Sequence, residues 1–95
     1  MTNVAKVASK LRLALQQIDS LPANAGVSPE QLIYVRENLA RYMKQLDQEP
    51  DSIQLDDLNH VGRLVVEYWP ITLTAGESVI AAEQELRKFV EQKRT

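Results

Sequence analysis

Residues 27–46 read VSPEQLIYVRENLARYMKQL, and this stretch decides the fold. Ser28 stands where a helix cap belongs, and Pro29 follows at the first helical position, where its fixed φ and missing N–H cost nothing. Gln31 is spaced to close a capping box, and Val27 to staple onto Leu32. From there Leu32, Val35, Leu39, Tyr42 and Leu46 recur alternately three and four residues apart, which lines them along one face of a helix. Arg41 and Lys44 suit the negative end of the helix dipole, so the helix is predicted to stop near Leu46 or Asp47.

The same rhythm appears on both sides of this segment. Before it, Val4, Val7, Leu11, Ala14, Ile18 and Leu21 form an apolar stripe over about Thr2 to Leu21. After it come Leu58, Val61, Val65 and Tyr68, with Ser52, Asp56 or Asp57 as candidate caps and Pro70 as the stop. In the last segment Thr74 and Glu77 have capping-box spacing. Val79, Ala82, Leu86 and Phe89 then share a face, with Arg87, Lys88, Lys93 and Arg94 towards the end. Pro22, Pro29, Pro50 and Pro70 fall between these segments or at a first turn, never inside one.

Four amphipathic helices of about 25 Å, joined by short connections, predict an all-α, up-and-down four-helix bundle in a single domain over residues 1–95. The third segment leaves an alternative open. Leu64, Val65, Val66, Tyr68 and Trp69 also suit a strand, so a short hairpin from Arg63 to Thr74 competes with helix there. Gly62 within that segment costs a helix about 1 kcal/mol relative to alanine, which implies either close helix approach or a local break.

Composition bounds the function. Apolar residues make up 44% and charged residues 25%, which is ordinary globular usage and predicts folding. The absence of cysteine removes disulfide and thiolate chemistry and suits a reducing compartment, so a cytoplasmic location is expected. The apolar runs are only three or four residues long, far short of the roughly 18 that span a bilayer. Lys6, Ser9, Lys10 and Arg12 interrupt Met1 to Leu21, so no export leader is expected there. Those bases could instead rest on an anionic membrane surface, but the segment lacks aromatic anchors and its stripe matches those of the other helices.

No motif announces catalysis, a cofactor or a metal, and an enzyme is not expected. His60 is the sole histidine, so it cannot anchor the usual zinc set. Asp56 and Asp57, four and three residues before it, could pair with its ring, but no nucleophile is placed beside them. Asp47, Glu49 and Asp51 alternate like calcium-loop ligands. Ser52 stands where the turn glycine belongs and Leu58 where the closing glutamate belongs, so the stretch reads as an acidic connector or a docking patch for a basic partner.

The net charge of −2 gives no general attraction to phosphate, and no connection has helix-turn-helix geometry, although a basic face on the first or last helix keeps a nucleic-acid-associated regulator as the second reading. The leading reading is a small protein-interaction or regulatory module, with a protein partner of unspecified identity and homodimerisation as one form of it. At about 100° per residue, Leu13, Ile33, Val66 and Ile80 each lie roughly 125–150° from the stripe of their own helix. Should two or more meet in space with Tyr34 or Trp69 at the edge, they would form an apolar patch suited to a partner. Tyr68 and Trp69 carry the large apolar area and polar tips typical of interface hot spots, although packing at a helix end is the favoured role for them.

Overall fold

The computed structural model describes residues 3–54, 58, 61–70 and 72–93. Among them are four α-helices and no strand: α1 Val4–Asp19, α2 Pro29–Gln48, α3 Val61–Tyr68 and α4 Thr74–Lys93. A single 3-10 turn, Pro50–Ser52, follows α2. The hairpin alternative for residues 63–74 is therefore not adopted. Helix satisfies the backbone of residues 61–68 locally, whereas a lone hairpin would have needed a sheet to pair with.

The helix starts differ from their sequence signals in detail. Asn3 caps α1 in extended conformation, its Oδ1 accepting the Lys6 N–H at 2.9 Å. Ser28 does occupy the cap of α2, with Pro29 behind it, but its hydroxyl makes no capping hydrogen bond; the predicted box is replaced by the rigid proline start. Thr74 is already helical, and the Leu73 carbonyl accepts the N–H groups of Gly76 and Glu77 at 3.0 and 3.3 Å. Leu73 rather than Thr74 is thus the capping position, and the second box does not form as spaced.

Charged and polar pairs fix the directions of the helices. Asp19, ending α1, meets Arg36 early in α2 at 2.7 Å, while Val4 and Ala8 lie across from Met43 and Leu46. Lys6 reaches Glu85 at 3.4 Å, and Ser78 donates a hydrogen bond to Gln17, so α1 and α4 are antiparallel as well. Gly62 approaches Glu83 while Trp69 approaches Gly76, which runs α3 against α4 in the same sense. The result is an up-down-up-down bundle measuring 42 × 21 × 21 Å.

The four stripes converge along most of their length, with Val4 at the start of α1 and Tyr68 at the end of α3 left exposed because no neighbouring helix covers them. Val7, Leu11, Ala14, Ile18, Val35, Leu39, Tyr42, Leu46, Val61, Val65, Val79, Ala82, Leu86 and Phe89 are all buried. Each large aliphatic among them contributes about 1.5–3 kcal/mol by leaving water. The acidic connector is tied to this core from beneath by Ile53 and Leu58, both buried.

The helices are not of equal length. At 1.5 Å per residue α2 and α4 extend about 30 Å, whereas α3 extends only about 12 Å. The packing is correspondingly uneven: α1 lies broadly against α4 and α2, and α3 against α4, but α3 scarcely touches α2.

Two glycines and a buried carboxylate hold the short helix. A Cβ at Gly76 would come within 3.0 Å of Val65, so its absence lets α3 press onto α4. At Gly62 the neighbour is Glu83, whose carboxylate accepts the Gly62 N–H at 3.2 Å and supplies the orphan first turn of α3 with an acceptor from another helix. Gly62 therefore marks close helix approach.

Candidate functional site

Outside the core, an apolar groove and an open cleft border α3 among the described residues. The first is an apolar groove of about 300 Å³ between α3 and the start of α4, lined by Val65, Val66, Trp69, Leu73 and Ile80 with Glu77 at its rim. It unites two of the four aliphatics that sequence spacing sets apart. Val66 is 70% exposed and Ile80 half-buried. On α3 the buried face carries Val61 and Val65, which turns Val66 outward; on α4, Val79 and Ala82 face inward and leave Ile80 at the groove.

Leu13, also exposed, lies nearby but not in the same groove. It lines a second depression with Gln17, Leu21, Thr72 and Ala75, separated from the first by Leu73, which borders both. Ile33 on α2 is exposed and lines neither groove. The structure thus brings Val66 and Ile80 together, sets Leu13 across a ridge, and leaves Ile33 apart.

Trp69 is only 5% exposed, so of the two roles expected of it the packing role at the helix end is the one adopted, while Tyr68, assigned to the buried stripe by its spacing, is 63% exposed. The chain bends at Trp69, where the N–H still returns to the Val65 carbonyl at 3.0 Å, and the indole folds over the bare face of Gly76. Burial there rests on ring packing, because the indole N–H finds no acceptor among the described residues. Trp69 forms a wall of the groove as part of the core.

The second concavity, of about 450 Å³, is the cleft left where α2 and α3 fail to close. Glu30, Gln31 and Tyr34 line one wall, and Arg63, Leu64, Glu67 and Tyr68 the other. Arg63 Nε donates to Glu67 Oε1 at 3.0 Å, and that hydrogen bond raises the guanidinium pKa above its ordinary value. Sequence spacing gave no sign of this cleft, since it arises from the shortness of α3 and not from a motif.

Asp47, Glu49 and Asp51 are all exposed, Asp47 on the last turn of α2 and the others in the connector. Ser52 turns back onto the Glu49 carbonyl through both its N–H, at 2.9 Å, and its hydroxyl, at 2.7 Å. Residues 49–52 therefore form a folded turn. Asp56, Asp57 and His60 lie outside the described residues. No group of three or more His, Cys, Asp or Glu side chains that could hold a metal occurs among the described residues, and no helix there is long and apolar enough to cross a membrane.

A buried polar junction joins three helices. Tyr42 of α2 is fully buried, and desolvation, reinforced by the charge of Glu83, pushes its hydroxyl pKa up to about 12. Arg41 stacks over the Tyr42 ring at 5.3 Å from its centroid. Glu83 in turn holds the start of α3. The periodicity singled out Tyr42 but missed Glu83, although Glu83 falls between Val79 and Leu86 at spacings of four and three on the inward face. The chain matches no known protein-family description, no curated protein and no solved structure.

Proposed function

We propose that this chain is a protein-interaction module that presents the α3–α4 face to another protein, including a second copy of itself. The observation that carries the reading is the meeting of Val66 and Ile80 in one groove beside Leu73. Apolar side chains turned away from their own helix stripes and gathered at one concavity supply the desolvated centre that interfaces use. The cysteine-free composition suits work in a reducing compartment such as the cytoplasm. Nucleic-acid binding draws less support, because Lys6 is drawn to Glu85 and Arg36 to Asp19, leaving less positive charge on the outer surface.

Light scattering and affinity capture of the purified chain test the proposal. Val66→Lys places a charge in the groove at an exposed position, so it is expected to abolish a dimer or a captured partner while leaving helix content unchanged. A chain that stays monomeric and captures the same proteins with or without Val66→Lys overturns the reading.

A further inference from the structure

The cleft between α2 and α3 has a composition distinct from that of the apolar groove. Its walls bring together two exposed aromatic side chains, Tyr34 and Tyr68, one from each helix, and the apolar surface of Leu64. Two carboxylates, Glu30 and Glu67, share this space with a single guanidinium, Arg63, which is already engaged by Glu67. Among the described residues the lining therefore carries one negative charge beyond its internal pair. The last turn of α3, which contributes Glu67 and Tyr68, holds no basic residue, so the negative end of that helix has no cation of its own.

Aromatic faces, an apolar surface and a surplus carboxylate form the chemistry that receives an organic cation. Ring quadrupoles attract the charge, the carboxylate neutralises it, and the apolar surface covers the alkyl stem. Anionic ligands such as phosphate are repelled by the same lining. The opening is shallow and bounded by two helices, which suits a side chain projecting from another polypeptide.

We propose that the α2–α3 cleft receives an arginine or lysine side chain of a partner protein, held between Tyr34 and Tyr68 and neutralised by Glu30. This names the chemistry of a partner and so rests on the interaction reading above, but it uses a different surface from the Val66 groove. The two can fail separately: Val66→Lys reports on the groove, and the experiment below on the cleft alone.

The test is a titration of the 15N-labelled full chain with the peptide acetyl-Leu-Arg-Leu-Arg-amide, followed by amide chemical shifts. Acetyl-Leu-Gln-Leu-Gln-amide and tetramethylammonium are run in parallel. Saturable shifts centred on residues 30–34 and 63–68 are expected with the arginine peptide and not with the glutamine peptide. Loss of one partner is expected to weaken binding about two- to fivefold for Tyr34→Ala or Tyr68→Ala, as one exposed cation–π contact implies. Glu30→Gln, which keeps shape and removes charge, should weaken it comparably and make it less sensitive to salt. The proposal is overturned by an absence of saturable shifts, by equal response to the glutamine peptide, or by shifts centred on Asp47 to Asp51. Tighter binding of tetramethylammonium than of the arginine peptide also overturns it, assigning the cleft to a small free cation.

Discussion

The seam between α1 and α4 and the border of α3 are built from the same classes of residue and end differently. Along the seam, long helices bring Val7, Leu11, Ala14 and Ile18 against Val79, Ala82 and Leu86, and every one of these side chains is buried. Around α3, two turns of helix bury Val61 and Val65 but leave Val66, Tyr68 and the cleft towards α2 open. A long amphipathic helix can cover its neighbour along its whole length. A short one covers only what lies over its few turns, so it leaves concave, partly apolar surface on either side. Stability should therefore concentrate in the seam, and recognition at the α3 border.

Truncating the seam should have the largest effect. Leu11→Ala or Leu86→Ala removes a fully buried side chain from helices with no room to collapse inward, so each should lower unfolding free energy by about 2–5 kcal/mol in urea titration. Against a typical total of about 5–15 kcal/mol this is a large fraction. A loss below about 1 kcal/mol would mean that the long helices pack no better than α3 does.

Alkaline pH probes where the two regions join. Because the folded-state pKa of Tyr42 is pushed up to about 12, above the ordinary value of 10.0, the folded chain retains a proton that the unfolded chain gives up. Its contribution is complete below pH 10 and is lost as pH rises from 10 towards 12, at about 1.4 kcal/mol per pH unit. Tyr42→Phe should flatten that slope in chemical denaturation at stepped pH. An unchanged slope would place the alkaline loss elsewhere.

Glu83→Ala comes next. It removes the acceptor for the Gly62 N–H and should cost about 1–3 kcal/mol, with hydrogen exchange accelerated in α3 beyond α1. Glu83→Gln, which still accepts that hydrogen bond, should recover part of the loss. Equal exchange in α1 and α3 after Glu83→Ala would remove the claim that this carboxylate selectively anchors the short helix.

Legibility in the sequence follows the same division. Stripes spanning four or more turns in α1, α2 and α4 predicted burial nearly residue by residue, because an error of a few degrees per residue cannot hide a repeat that long. In α3 the repeat lasts two turns, too short to determine which face meets α4, and Tyr68, placed on the buried stripe, came out exposed. What decides that face is Gly76, 14 residues after Gly62 and on another helix, and no local spacing reveals it. The pairing of Val66 with Ile80 was legible only as two separate outliers, since their meeting depends on the register of α3 against α4. The cleft lined by Tyr34 and Tyr68 was illegible, for it exists where two helices scarcely meet.

The smallest expected effect is the most telling for the orientation of α3. Tyr68→Ala deletes a side chain as bulky as many in the core, yet 63% of it already meets water, so its removal should change stability by no more than about 0.5 kcal/mol. The adjacent Trp69→Ala opens space over Gly76 and behind Val65, and should cost about 3 kcal/mol or more. Both variants lie at the same helix end and remove an aromatic ring, so differences in propensity and chain position nearly cancel. Thermal unfolding of the pair thus isolates orientation. If Tyr68→Ala proves the more damaging, α3 is turned on its axis by about one residue, Val66 swings towards α4, and neither the groove nor the cleft retains its lining.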